Sequence, residues 1–245
     1  MHRKSVLAAV LTLIMILLPA LAPASPLPDT GQTGNYTATF GEDSDYTINP
    51  PSYTKLDGAG NALPDSASSW AMVRDNVTGL IWENKTDDGS IHDKDNKYTW
   101  YDPEPATNGG YAGTPGNGTD TQDFIAALNT ANFGGYSDWR LPTREELRSI
   151  VDYGHYSPAV NTVFFPNTLA SYYWSSSTYV SFPDRAWHVH FGSGAGDDYG
   201  KSVSYYVRAV RSGQSGSLGN LVINGDGTVT DTATGLMWQQ ATPGS

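Results

Sequence analysis

The rhythm of apolar and polar residues changes several times along the chain, and each change predicts an element. Val6 to Leu18 is an apolar run closed by Pro19. Residues 25–69 scatter Tyr36, Phe40, Tyr46 and Tyr53 among Pro, Gly, Asp, Asn, Ser and Thr. Within it, Asn49-Pro50-Pro51 must be extended or turning, because proline restricts itself and its predecessor. This stretch reads as an extended N-terminal arm whose aromatics rest on something. Residues 77–83, VTGLIWE, are β-branched and aromatic and predict the first strand. Residues 84–118 are a long polar excursion, and loops of that length in a compact domain are usually functional or ordered by a ligand.

Two helical stripes follow. Phe124, Ala127, Leu128 and Ala131 predict a helix over residues 120–131, with Thr119 and Gln122 spaced as a capping box. In the second, Thr143 caps and Glu146 reaches back to it, Leu147, Ile150 and Val151 share a face, and Gly154 ends the helix. From residue 171 the period becomes two. Tyr172-Tyr173-Trp174 is one strand, and residues 203–211 another. Strict alternation in Trp187-His188-Val189-His190-Phe191 places Trp187, Val189 and Phe191 inward and both histidines outward. The order of strand, two helices and a block of strands predicts an α+β domain.

Composition narrows the function. The chain has 245 residues, 25 acidic and 14 basic side chains, and no cysteine. Absence of cysteine removes disulfides, thiolate zinc sites and thiol nucleophiles. Ahead of the first apolar run stand His2, Arg3 and Lys4, and behind it Ala22-Pro23-Ala24. Residues 1–24 thus read as a secretory signal peptide, the alternative being a retained membrane anchor. No later run is apolar enough to span a membrane. Cleavage takes the two positive charges of Arg3 and Lys4 from a net charge of −11 and leaves −13. Such a balance argues against nucleic acid as a partner.

Residues 74–83, RDNVTGLIWE, are echoed by residues 230–239, TDTATGLMWQ. Thr78-Gly79-Leu80 and Trp82 match Thr234-Gly235-Leu236 and Trp238 in one register. The expected organisation is an arm over 25–69, a domain over 70–213, and a linker with the truncated start of a second copy over 214–245. The chain is accordingly expected to be a fragment of a longer tandem protein, unless the echo pairs with the first domain.

Four strings together carry a resemblance: Val73 to Glu83; Asp138-Trp139-Arg140-Leu141-Pro142-Thr143 with Glu146-Leu147; Tyr173-Trp174-Ser175-Ser176-Ser177; and Tyr206 to Arg211. In this order they resemble the Lcl C-terminal domain family, named for the C-terminal domain of the Legionella collagen-like adhesin. The resemblance covers about residues 29–213. It implies a C-type-lectin-like fold, with two helices on short, mostly antiparallel strands and long loops. It also implies a surface or secreted adhesin-like module. Trp82, Trp139, Arg140, Thr143, Glu146 and Trp174 form its structural signature, with the tryptophans in the core and Arg140 tying loops to a carboxylate or carbonyls, so that its loss would leave buried partners unpaired. Without the disulfides of animal lectins, the core is expected to close by aromatic packing alone. The namesake adheres to sulfated glycans, a polyanion that suits an acidic chain poorly.

Candidate chemistry is sparse. Asp87, Asp88, Asp93, Asp95 and Asn96 place five oxygen side chains in ten positions, as a calcium loop or a solvated turn would. His188 and His190 have a spacing that suits zinc, with His155 as the remaining candidate ligand. Alternatively, the histidines line a ligand surface with Asp197, Asp198 and Tyr199, where aromatics and carboxylates suit sugar rings and hydroxyls. Ser175-Ser176-Ser177 lacks a nucleophile elbow, and no phosphate loop follows a strand. The chain is therefore expected to be non-enzymatic and to bind an extracellular glycan or surface protein. The alternatives are a structural repeat domain without a small ligand and, more weakly, a polysaccharide hydrolase. Sequons occur at Asn35, Asn76, Asn84 and Asn117.

Overall fold

The computed structural model describes residues 27–211, 221–231 and 236–239. The proposed signal segment, most of the linker and part of the second copy's turn lie outside the described residues. The described residues form an α+β fold, with two α-helices and mostly antiparallel strands.

One four-stranded sheet has the order β1 (Tyr53–Leu56), β2 (Met72–Asp75), β3 (Ile81–Glu83) and β9 (Val210–Arg211). Strand β1 belongs to the segment read as an arm. Tyr53 pairs with Asp75, and Leu56, paired with Met72, is fully buried. Of the four arm aromatics, Tyr53 alone reaches the core, against Phe164 and Phe165; Tyr36, Phe40 and Tyr46 are exposed.

The single strand predicted over residues 77–83 is instead the turn and second arm of a hairpin. Asp75 folds back to accept the amides of Val77 (2.9 Å) and Thr78 (3.3 Å) and the Thr78 hydroxyl (2.7 Å). Gly79 then takes a φ of 74°, where a side chain would be strained. An Asp, a Thr and a Gly at these spacings are thus turn chemistry, which overrides the strand propensity of Val77 and Thr78.

The echo has the same geometry. Strands β10 (Leu221–Ile223), β11 (Thr228–Asp231) and β12 (Met237–Gln239) form a separate antiparallel meander. Val229 faces Trp238 as Val73 faces Trp82, and the Asp231 amide donates to Leu236 as that of Asp75 donates to Leu80, both at 2.8 Å. The difference is cover: Trp82 is fully buried, whereas Trp238 is 58% exposed.

The five-stranded sheet has the order β4 (Lys97–Tyr98), β8 (Tyr205–Tyr206), β5 (Tyr172–Thr178), β6 (Arg185–His190) and β7 (Ala195–Gly200). Helix α1 (Thr121–Thr130) is capped by Asp120, whose carboxylate accepts the amides of Gln122 and Asp123, not by Thr119. Its buried stripe narrows to Phe124 and Leu128, with Thr121 beside them. Helix α2 (Arg144–Ser149) has the predicted Thr143–Glu146 capping box, and lies against β5 and β6. It stops at Ser149, well before Gly154.

Neighbouring residues of the central strands serve two apolar clusters. Trp82, Tyr173 and Val189 join Leu147, Phe165 and Phe191 in one. Ile81, Trp174 and Ala186 join Phe124, Leu128 and Trp139 in the other. The tryptophans of the signature are therefore core residues, 0–2% exposed. Asn84 is buried as well, which removes its sequon as an acceptor.

Aromatic packing does not close this core alone. Four cations are almost wholly buried: Lys55, Lys85, Lys201 and Arg208. Arg208 Nη1 donates to the Glu83 carbonyl and Nη2 to the Thr168 hydroxyl, each at 2.7 Å. The Glu83 carboxylate accepts from Lys85 Nζ (3.2 Å), His92 Nδ1 (2.8 Å) and the Ala209 amide (3.0 Å). Burial alone would raise that carboxyl, but Lys85, His92 and the Ala209 amide hold it below its ordinary range. Lys201 binds Asp102 at 2.6 Å and draws in the later part of the long 84–118 excursion. Lys55 Nζ holds the carbonyls of Asp65 and Ala67 at 2.8 Å each, above the Trp70 ring.

Arg140 does reach a carboxylate and a carbonyl, Glu146 and Leu141, but from a partly exposed position. Its side chain is 33% exposed and makes a bidentate pair with Glu146 at 2.7 and 2.6 Å. Arg140 reinforces the helix cap at the surface, and the buried arginine that ties segments together is Arg208. Arg208→Ala strands buried partners and should cost about 3–5 kcal/mol. Arg140→Ala, with its pair partly screened by water, should cost only about 1 kcal/mol. Urea unfolding of the two variants checks the ranking; an Arg140 variant as damaged as the Arg208 variant would reverse the assignment.

Candidate functional site

Pairing in the five-stranded sheet decides which predicted site residues share a face. Tyr172 faces His190, Trp174 and Asp197 both face His188, and Tyr199 faces Ala186. Tyr172, Trp174, His188, His190, Asp197 and Tyr199 consequently project to one side. Tyr205 of β8 completes a row of rings. Its centroid lies 4.7 Å from Trp174, 5.1 Å from Tyr172, 5.2 Å from His188 and 6.0 Å from Tyr199. The row begins in the core at Trp174 and ends in solvent at Tyr172 and Tyr199, which are 40% and 52% exposed.

Two of the five predicted ligand residues are placed differently. Asp198 faces Trp187 on the opposite side, where it pairs with Arg185 at 3.2 Å and the Arg144 guanidinium stacks on Trp187. His188 is on the predicted side of β6 but is not outward in the sense of solvated. It is 2% exposed, and among the described residues neither ring nitrogen has a hydrogen-bond partner. Burial pushes its imidazole below the ordinary value of 6.5, outweighing the pull of Asp197 and Asp198, so the ring is neutral at pH 7. Alternation misjudged it because the inner end of this face is covered by the second cluster.

His190 remains half-buried beside Tyr172, 4.6 Å between centroids. Its ring folds over Gly192, where an added Cβ would meet Cε1 and push the ring aside. His155 pairs with Asp152 at 2.9 Å, and the three histidines do not converge as a metal site among the described residues. Tyr172 and Tyr205 were not singled out from sequence. The Tyr-Tyr-Trp alternation does place Tyr172 with Trp174, but nothing local places Tyr205 beside them.

The acidic loop brings together three of its five oxygen residues. Carboxylate atoms of Asp87, Asp93 and Asp95 lie within 4.8 Å of one another. The loop also supplies its own cation: Lys94 Nζ is 2.7 Å from Asp87 and 3.1 Å from Asp95. Asp93 is spent on the amides of Asp88, Gly89 and Asp95. Asp88 accepts from Ser90 and Thr86, which hold its carboxyl down to about 2, and the Asn96 amide donates to the carbonyls of Ser90 and Ile91. Asp88 and Asn96 thus brace the loop.

The chain belongs to the Lcl C-terminal domain family, whose model matches residues 71–211. A search of curated proteins finds no match to the chain. Among the described residues, no helix is long and apolar enough to cross a membrane.

With Lys94 already between Asp87 and Asp95, calcium should leave the melting temperature of the wild-type chain unchanged, before and after chelator. Lys94→Ala frees the carboxylates and should create a calcium-dependent rise. Differential scanning calorimetry reads both, and a calcium-dependent rise in the wild type would show that the ion displaces the lysine.

Proposed function

We propose that the chain is an exported, non-enzymatic, adhesin-like module of C-type-lectin-like architecture. In this reading it binds an extracellular glycan through the aromatic face of its five-stranded sheet. The observation that carries the reading is the row from Trp174 through Tyr205 to the exposed Tyr172 and Tyr199, with His190 and Asp197 beside it. Exposed rings stack on sugar faces, and flanking imidazole and carboxylate groups bond hydroxyls. A rigid sheet holds these groups in place at little entropic cost. Family membership supports a surface adhesin-related role. The acidic balance favours a neutral or weakly charged glycan over a sulfated one. Affinity per site is low on such an open face and rises by multivalent display.

The reading as a structural repeat module has its own support. The second meander reproduces the register of the first and leaves Trp238 and Met237 exposed. Under that reading no glycan is bound.

A glycan array separates the two. The full chain should bind a subset of neutral glycans, and Tyr172→Ala combined with Tyr199→Ala should abolish the signal. Asp198→Ala, on the other side of the sheet, should leave it intact. A blank array favours the structural module, and binding that survives the tyrosine pair removes this face as the site.

A further inference from the structure

A cavity of about 320 Å³ opens at the end of the other sheet, away from the tyrosine row. Its walls include Asp57 from the β1–β2 connection, Trp70 ahead of β2, Asn84, Thr86 and His92 after β3, and Phe133. The volume lies at the lower end of the roughly 300–1,000 Å³ typical of small-molecule sites.

Two of its polar groups are held ready for a ligand. Asn84 is 8% exposed; its Nδ2 donates to the Trp70 carbonyl at 3.0 Å, and its Oδ1 has no partner among the described residues. A buried acceptor left in this state costs stability unless a donor reaches it, which makes it a marker of a missing partner. His92 is fixed from behind. Nδ1 is 2.8 Å from the buried Glu83 carboxylate, and the ring lies on Phe133 with 4.2 Å between centroids. Nε2 is thereby left as the ring's free polar atom among the described residues. This is the arrangement in which a second group orients an imidazole whose other nitrogen does the work.

We propose that this cavity binds one neutral sugar residue, with a hydroxyl donating to Asn84 Oδ1, a second hydroxyl on His92 Nε2, and the ring between Trp70 and Phe133. Hydroxyls suit both groups. Asn84 Oδ1 needs a donor, and an imidazole nitrogen can accept from or donate to a hydroxyl in either of its states. Trp70 and Phe133 supply apolar wall for the C–H face of a pyranose. The lining includes Asp57 and no lysine or arginine; Lys55 Nζ, on the Trp70 ring, is already held by the carbonyls of Asp65 and Ala67. An anionic sugar, whether carboxylated or sulfated, finds no lysine or arginine free to pair with it in the lining. The proposal goes beyond the reading of the tyrosine face and does not rest on it, since no residue is shared.

The test is nuclear magnetic resonance on the isotope-labelled full chain, titrated to millimolar levels with neutral monosaccharides and with glucuronic acid and a sulfated hexosamine. At least one neutral sugar should move the Trp70 indole and the amides of residues 84–92, and the anionic sugars should not. Asn84→Ala and His92→Gln should each weaken binding about tenfold, the loss of one good hydrogen bond. Tyr199→Ala should leave it unchanged. Shift mapping on the unmodified chain stands even where a variant fails to fold. Shifts confined to the tyrosine face, a response to anionic sugars alone, or no response to any neutral sugar would each overturn the proposal.

Discussion

Everything in this domain hangs on charges placed where water cannot reach. Glu83 ends β3 and Arg208 precedes β9, two strands that neighbour each other although 125 positions separate their residues. The arginine holds the Glu83 carbonyl, the glutamate holds the Ala209 amide, and Thr168 and Lys85 complete the set. Burying such groups is costly, so the arrangement persists only because nearly every partner is satisfied. It is the same logic a disulfide would serve in a thiol-free chain: distant segments are fixed by a few specific links. Lys201 on Asp102 and Lys55 on two carbonyls repeat it for the long excursion and for the β1–β2 connection.

The family's strings gain a physical meaning from this geometry. Asp75, Thr78 and Gly79 build a hairpin turn, Trp82 and Trp174 fill the two clusters, Glu146 is shared between Arg140 and the α2 cap, and Arg208 binds the first string to the last. The surfaces we propose for recognition are the tyrosine row of one sheet and the cavity beside the other.

Local signals were legible where one element decided the outcome alone. The Thr143–Glu146 box, the three core tryptophans and the Phe124 and Leu128 part of the α1 stripe could be read directly. What depended on pairing could not. The Asp-x-x-Thr-Gly turn was hidden inside a run of strand formers. Strand β6 is covered on both sides at its inner end, so period-two alternation separated its faces correctly yet misjudged the exposure of His188. Asp198 differs from Asp197 only by one step along β7, and that step decides which side of the sheet it serves. Arg208 is one of two arginines in the last strand string, with Arg211, and only its place next to β3 buries it. His92 and Asn84 sat in a loop read for its carboxylates, and their link to Glu83 and Trp70 appears only once the loop is folded.

Native-state hydrogen exchange addresses the central claim most directly. The amides of Glu83 and Ala209 bond to each other's segment, at 3.0 Å in both directions. If the buried charge centre holds the domain together, these two amides exchange only through global unfolding, with the same free energy and the same denaturant dependence as the slowest amides of β5 and β6. Exchange of Glu83 and Ala209 by local opening, while β5 and β6 stay protected, would contradict the account.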